Sequence, residues 1–297
     1  NDPSYVTTVD RIDYGNDTAT ASPKGPLTIA RAYAAGTHNS DYGYHGGGYS
    51  GGTPNHVSTV DRIDYSNDTP TTVAKGPLTS IKNGCAAVGN QSYGYWAGGA
   101  FTPWPTIYSL VDRLDYSSDT TAAAPKGNLT RARTNVAGTG NADYGYIGTG
   151  YFSGGGNGLY YGTTMDRIDY SNDTPTAANR GPYFKSNNSW WMGATGTTSY
   201  GYWAGDEKNY DGSEIGRLDY SNDAATAVVK GTLAGPMRRI CGFSSRANAN
   251  PTTSGMQTRS VTVTGNSDSP YGYVGGDMNT SKVGRVDFSN DTPTMST

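Results

Sequence analysis

Three histidines, His38, His45 and His56, lie close together and are the chain's only imidazoles, which makes them the first groups to consider for metal or proton chemistry. His45, however, follows a Tyr-Gly-Tyr triplet at the place where other copies of that triplet are followed by Trp96, Ile147, Trp203 and Val274. It reads as an ordinary strand side chain, and no resident metal or other cofactor is expected. A second chemical signal is the sequon Asn-x-Thr at Asn16, Asn67, Asn172 and Asn290, an acceptor for N-glycosylation, with further matches at Asn90, Asn128, Asn187 and Asn279. Ser118 and Ala224 break that sequon in sister positions, whereas Asp17, Asp68, Asp119, Asp173, Asp223 and Asp291 recur without exception. The turn is therefore expected to depend on the Asp. Calcium is not expected in a segment such as Asp64-Tyr65-Ser66-Asn67-Asp68, which lacks alternating acidic spacing and a bidentate Glu.

Other charges recur as well. Arg11, Arg62, Arg113, Arg167, Arg217 and Arg285 each stand two positions before Asp13, Asp64, Asp115, Asp169, Asp219 and Asp287, and residues two apart on a strand share a face. Each Arg is expected to pair with its own Asp or with that of an adjacent unit. Catalysis needs one acid and one base tuned apart, so groups present in every copy are scaffold. No Gly-Lys-Ser phosphate loop occurs, and no enzymatic activity is expected. Binding is placed instead in the stretches that vary between copies, 48–58, 100–109, 151–164, 206–214 and 277–282. They carry Tyr49, Phe101, Trp104, Tyr108, Tyr151, Phe152, Tyr160, Tyr161 and Tyr210, with Trp104 and Tyr160 the strongest candidates. Variable loops on a rigid scaffold are where ligand contacts are usually carried, and exposed rings suit sugar faces and protein partners alike.

The elements that would position these loops repeat. Val9 to Thr18 returns as Val60 to Thr69, Val111 to Thr120, Met165 to Thr174, Ile215 to Ala224 and Val283 to Thr292, at about 50 residues with one interval of about 68. The excess of the long interval is expected as an insertion within 243–257, where Asn, Pro, Ser, Thr and Gly crowd. Between these copies stand five of Tyr-Gly-Tyr, beginning at Tyr42, Tyr93, Tyr144, Tyr200 and Tyr271. Within one unit Val60 to Tyr65 alternates as a half-buried strand, Asn67-Asp68-Thr69-Pro70 turns, Thr71 to Ala74 is a weaker strand, and Cys85 to Val88 and Tyr93 to Ala97 are two more. Four short strands per period is the count of a propeller blade. With 42 Gly, 24 Tyr and 34% hydrophobic residues in 297, and no helix-period run, an all-β fold is expected, a single domain over 1–297. A net charge of −3 without basic clusters argues against nucleic acid. No apolar run is long enough for a membrane span. Cys85 and Cys241 lie in the same region of different units and are expected as two buried free thiols.

The order of these phrases resembles the kelch repeat: Gly46-Gly47, Gly98-Gly99 and Gly275-Gly276 after an aromatic strand, a strand ending Asp64-Tyr65, then Leu27 to Arg31, Leu78 to Lys82 and Leu129 to Arg133. The Trp that kelch blades carry after the Tyr turn is replaced here by Asn-Asp-Thr. The wording Asp-Arg-Ile-Asp-Tyr-Ser-Asn-Asp-Thr with Tyr-Gly-Tyr is similar, over nearly the whole chain, to repeats in tail-fibre-like structural proteins of marine, especially cyanobacterial, bacteriophages. The resemblance implies a kelch-like β-propeller of about five four-stranded blades. It further implies a structural and adhesive part of a virion or extracellular appendage that binds a cell-surface glycan or protein. Alternatives are a self-assembling subunit of an extracellular, glycosylated fibril and, from the copper-binding kelch-fold enzymes, an oxidase. Six Asp-Tyr strands against five Tyr-Gly-Tyr strands leave half a blade over. If 6–27 completes the strand at 271–276, the ring closes by pairing of N- and C-terminal strands, and 282–297 becomes a spare edge for a neighbouring subunit. The other possibility is that 281–297 wraps the last blade of its own chain.

Overall fold

The structure, a computed structural model, describes residues 5–16, 19–52, 55–101, 106–153, 159–183, 189–206, 212–233, 235–237, 239–244, 271–277 and 280–288. Strands β1 (Val9–Arg11) and β2 (Ser22–Lys24) form an antiparallel pair. Sheet 1 runs β3 (Ala35–His38), β4 (Tyr42–Gly46), β5 (Val60–Asp64), β6 (Val73–Lys75). Sheet 2 is β7 (Ala86–Gly89) and β8 (Tyr93–Ala97), a small loop pair β9 (Ala100–Phe101) with β10 (Thr106–Ile107), then β11 (Val111–Asp115) and β12 (Ala124–Lys126). Sheet 3 repeats the plan with β13 (Ala137–Gly140), β14 (Tyr144–Gly148), the loop hairpin β15 (Tyr151–Ser153) and β16 (Leu159–Tyr161), β17 (Met165–Asp169) and β18 (Ala178–Arg180). Sheet 4 has β19 (Gly193–Gly196), β20 (Tyr200–Ala204), β21 (Glu214–Asp219) and β22 (Val228–Thr232), and sheet 5 has β23 (Cys241–Ser244), β24 (Tyr271–Asp277) and β25 (Thr280–Asp287). All pairings are antiparallel, and no α-helix occurs among the described residues. The first strands of successive sheets lie side by side, β3 by β7, β7 by β13, β13 by β19 and β19 by β23.

The alternation read in the third strand is what makes it half-buried. In β11, Asp112 and Leu114 on one face are buried, while Arg113 and Asp115 on the other are partly exposed and Val111, which begins the strand, is buried too. Apolar side chains meet between sheets rather than within one. Val88, Tyr95 and Val111 of sheet 2 pack with Ile147, Ile168 and Tyr170 of sheet 3. Trp96 and Trp203, both fully buried, extend into the gap behind, their indole N–H groups donating to Ala35 O at 3.0 Å and Ala137 O at 3.4 Å. A buried indole of this kind contributes about 2–3 kcal/mol of apolar burial.

The repeated charges clasp one sheet to the next. Asp119 accepts from Tyr44 Oη at 3.0 Å and Arg62 Nη1 at 2.8 Å, with Lys75 Nζ at 3.1 Å, so three groups of sheet 1 converge on one carboxylate of sheet 2. The arrangement recurs with Tyr95, Arg113 and Lys126 on Asp173, and with Tyr146, Arg167 and Arg180 on Asp223. The turn is held by a different residue from the one expected. Asp64, Asp169 and Asp219 accept from the backbone N–H and hydroxyl of Ser66, Ser171 and Ser221, and the hydroxyl bond above all holds these carboxyls below their ordinary pKa. The Asp of Asn-Asp-Thr is the clasp.

Two glycine phrases now have a cause. Gly76 N donates to Asp119 O at 2.7 Å, and a Cβ there would sit 1.8 Å from Thr121 O, so the basic-residue-Gly phrase marks where one sheet's last strand touches the next sheet's turn. The central glycine of Tyr-Gly-Tyr makes room for the Tyr that ends the third strand. A Cβ on Gly94 would meet Tyr116 Oη at 2.6 Å. That ring then stacks on Tyr44 of the preceding sheet, centroids 4.4 Å apart, as Tyr170 stacks on Tyr95 at 4.9 Å and Tyr220 on Tyr146 at 4.7 Å.

Three expectations need correction. β24 pairs with β25 from Tyr271↔Asp287 to Asp277↔Thr280, and Phe288 stacks on Tyr202 at 5.2 Å, so 280–288 is the third strand of its own chain's last sheet, the second of the two readings given for it, and not a strand left without a sheet, although among the described residues it stands at that sheet's edge. Among the described residues β1 pairs with β2 alone. The N- and C-terminal units meet instead through Tyr14 stacked on Tyr273, centroids 5.2 Å apart. Cys85 is buried as expected, its thiol pushed up to about 11 by desolvation, but Cys241 is exposed, and neither is in a disulfide. Of the segment expected to hold the insertion, Phe243 and Ser244 belong to β23 and the remainder lies outside the described residues.

Candidate functional site

Five residues stand two positions before the first strand of each sheet: Tyr33, Gly84, Asn135, Trp191 and Arg239. All have left-handed backbone, with φ of 57°, 62°, 56°, 55° and 54°. Only one is glycine. For the other four the conformation costs on the order of 1–2 kcal/mol each, and such outliers persist where the surroundings over-determine them. A chain of hydrogen bonds links the first four from sheet to sheet: Gly84 N to Tyr33 O at 3.0 Å, Asn135 N to Gly84 O at 2.7 Å, Trp191 N to Asn135 O at 3.2 Å. The chain curls round on itself. The rings of Tyr33, from sheet 1, and Trp191, from sheet 4, come within 4.7 Å, and the Arg239 guanidinium lies 5.5 Å over the same indole.

What fixes this backbone is a buried ion pair two residues earlier. Arg31 is paired with Asp61, Lys82 Nζ lies 2.7 Å from Asp112, and Arg133 Nη2 lies 2.7 Å from Asp166, all with side chains at or near zero exposure. Arg31 also donates to Gly47 O and Thr59 O at 3.0 and 2.9 Å, and Arg133 to Thr164 O at 2.8 Å. Desolvation lowers the pKa of both guanidiniums against the pull of their carboxylates, and a charge left there without its partner would be strongly destabilising. In sheets 4 and 5 both members change together, to Ser189 with Gly216 and to Met237 with Gly284.

Three of the five loops expected to bind ligand open on this same face. Isolated bridges join Ala32 to Tyr49, Asn83 to Ala100 and Thr134 to Tyr151, so these three loops begin beside a segment that carries a strained position. Tyr49 is half-buried, 5.6 Å from Tyr5 and edge-on to His56 at 4.9 Å, and Phe101 meets the other side of that imidazole at 5.4 Å. His56 is thus a packing ring in an aromatic row, also bonded to Asn55 and Asn83. Tyr151 packs edge-on against Trp190 at 5.2 Å, Arg131 lies 5.0 Å over Phe152, and Tyr108 is partly buried with its phenol pKa raised by desolvation. Tyr160 and Tyr161 lie on β16, opposite Phe152 and Tyr151. Trp104 and Tyr210 lie outside the described residues. Asn16, Asn67 and Asn172 are exposed in their turns, and Asn290 lies outside the described residues.

The remaining histidines sit in the frame. His45 occupies its strand position opposite Asp61, with desolvation foremost in lowering its pKa to about 4, and His38 Nδ1 bonds Asn39 O. No group of three or more His, Cys, Asp or Glu side chains placed to hold a metal occurs among the described residues. The strained row itself was missed from sequence. Its signal was present, because counting two back from each first strand gives a position that differs in every copy and is glycine in one.

No family model matches the chain, and no curated protein matches it. Among solved structures, that of YjhT superposes with a TM-score of 0.69 over 100% of this chain and 98% of its own, at 9% sequence identity. At that identity the likeness speaks for fold alone, and with the repeated antiparallel sheets it makes this an all-β, propeller-like protein.

Proposed function

We propose that the chain is a non-enzymatic binding module on a virion or another extracellular appendage, which attaches to a cell-surface glycan or protein through the face carrying the strained row. The observation that carries this reading is that row. Tyr33, Asn135, Trp191 and Arg239 hold a backbone conformation that glycine would adopt without cost, so their side chains are retained for what they do at the centre of the face. An indole flanked by a phenol and a guanidinium offers a flat apolar platform with donors at its margin, which suits the face of a sugar ring or an aromatic side chain of a partner. The variable loops bearing Tyr49, Phe101, Tyr151 and Phe152 would widen the contact.

The same reading gives the architecture a finer form: a propeller of five sheets in which the N-terminal pair β1–β2 occupies one further position and closes the circle. Two contacts support this, Tyr14 stacking on Tyr273 of sheet 5 and Arg11 bonding to Asp68 of sheet 1 at 2.8 Å, since both repeat the contacts made between successive sheets elsewhere. The binding test is a glycan array and whole-cell binding of Trp191→Ala and Tyr33→Ala beside the unaltered protein, with circular dichroism to confirm folding. A loss of at least tenfold in apparent affinity is expected for Trp191→Ala. Unchanged binding by both folded variants would refute the assignment.

A further inference from the structure

The inner side of the N-terminal pair departs from every other repeat, and each departure points to the same occupant. In sheets 1 to 4 the third strand pairs on one side with the fourth and on the other with the Tyr-Gly-Tyr strand. Among the described residues β1 has the former partner and not the latter. Arg62, Arg113 and Arg167 lie 4.2 to 4.3 Å over the first Tyr of their own Tyr-Gly-Tyr, with side chains 20–24% exposed. Arg11 is 57% exposed. Asp61, Asp112 and Asp166 are fully buried against an Arg or Lys from the segment leading into the first strand, whereas Asp10 at the same position is exposed.

The next sheet shows the other half of the imprint. Tyr116 and Tyr170 are covered by the second Tyr of the preceding Tyr-Gly-Tyr strand, and Tyr170 is 7% exposed, but Tyr65 is 47% exposed. Asp119, Asp173 and Asp223 each take that Tyr hydroxyl together with two cations. Asp68 takes Arg11 and Lys24.

We propose that β1, Asp10, Arg11, Tyr65 and Asp68 form a docking site for the inner half of a repeat of this kind, carried on a second polypeptide. The occupant is an antiparallel strand pair whose second strand reads Tyr-Gly-Tyr and whose leading segment carries an Arg or Lys. It would add to the open edge of β1 by backbone pairing. The register seen in sheet 1 sets its first Tyr opposite Asp13 and its second opposite Arg11. Its first ring then covers the Arg11 guanidinium, its second ring covers Tyr65 and donates to Asp68, and its basic residue buries Asp10. This site is independent of the strained row.

The experiment uses the full chain and a synthetic peptide copied from 129–148, which holds Arg133 and Tyr144-Gly145-Tyr146 and no cysteine. Amide exchange of Val9–Arg11 is measured first on dilute protein and then with peptide. Fast exchange that the peptide slows, with saturable one-to-one binding, is expected. Tyr65→Ala and Asp68→Asn should each weaken binding at least tenfold. So should a peptide with Ser at both tyrosines, which leaves the protein untouched. Three results would each overturn the proposal: amides already protected in the isolated protein, so that another part of this chain covers the edge; no saturable binding at millimolar peptide; or equal binding of the Ser peptide.

Discussion

Removing the Asp119 carboxylate tests whether the repeated charges are clasps between sheets. Asp119→Ala takes three partners away at once, the Tyr44 hydroxyl, the Arg62 guanidinium and the Lys75 ammonium. Hydrogen bonds to a charged group are worth about 1.5–3 kcal/mol each when buried, but Arg62 is partly solvated and its share is discounted. A net loss of about 2–3 kcal/mol is expected. Asp68→Ala supplies the internal comparison, because Asp68 holds two cations, one of them mostly exposed, and its loss should cost about 1 kcal/mol. Tyr44→Phe isolates the hydroxyl, and a double-mutant cycle with Asp119→Ala should show a coupling of about 0.5–1.5 kcal/mol. The assay is urea unfolding followed by circular dichroism and tyrosine fluorescence on all four variants. Equal losses for Asp119→Ala and Asp68→Ala, or a coupling near zero, would refute the view that the hydroxyl and the carboxylate act as one latch.

Gly76→Ala should cost more than 3 kcal/mol or prevent folding, since the new methyl meets backbone at Thr121, while Gly235→Ala, with open space around it, should stay within about 0.5 kcal/mol in the same unfolding assay. His45 has a folded pKa of about 4 against an ordinary 6.5, so it adds stability that is full above pH 6.5 and lost as pH falls towards 4. His45→Ile should flatten the stability profile across that window by about 3 kcal/mol, leaving the smaller slope due to His38 and His56, whose pKa values are also lowered by burial. Ellman titration should label Cys241, exposed but with its thiol pKa also raised by desolvation, faster than Cys85, which stays silent until urea unfolds it; equal labelling of both would contradict the packing around Cys85.

Much of the fold was legible because the repeat prints its own punctuation. Alternation in Val60 to Asp64, a turn at Asn67 and Asp68, and glycines at either end mark strands whose pairing needs no distant information. What could not be read was which sheet each recurring charge would face. Arg62 and Asp64 share a face of one strand, so pairing between them was an open reading. In the structure Asp64 is occupied by Ser66, and Arg62 reaches Asp119, 57 residues away. Strand periodicity fixes faces, not neighbours, and only the stacking of sheets brings Asp119 within reach. The C-terminal strand was left between two readings for the same reason. Counting six third strands against five second strands is correct, but the count alone does not say which copy stands apart, and it is β1, not β25, that lies alone with its fourth strand.

The candidate site was harder to read because its information is conformational. Aromatic loops announce themselves by composition, and Tyr49, Phe101 and Tyr151 do lie on the face that the first-strand segments share. Nothing in the residue types of Tyr33, Asn135, Trp191 and Arg239 suggests a common role. A phenol, an amide, an indole and a guanidinium have only backbone in common, and the shared φ near 55° becomes visible when the repeats are superposed in space. The buried pairs explain how that strain survives in sheets 1 and 3. Arg31 and Arg133 tie the segment to the carbonyls of a neighbouring turn, so the residue two positions later has no freedom to relax. Where the pair is replaced by Ser189 and Gly216, the strained residue is Trp191 itself, and the contacts that remain to hold it are its own: the Asn135 carbonyl, the Tyr33 ring and the Arg239 guanidinium. The strained backbone is therefore held by contacts of the Trp191 residue itself in sheet 4 and by the buried ion pairs in sheets 1 and 3. A substitution that removes the Trp191 ring must lose the contacts with Tyr33 and Arg239 that help to hold its backbone.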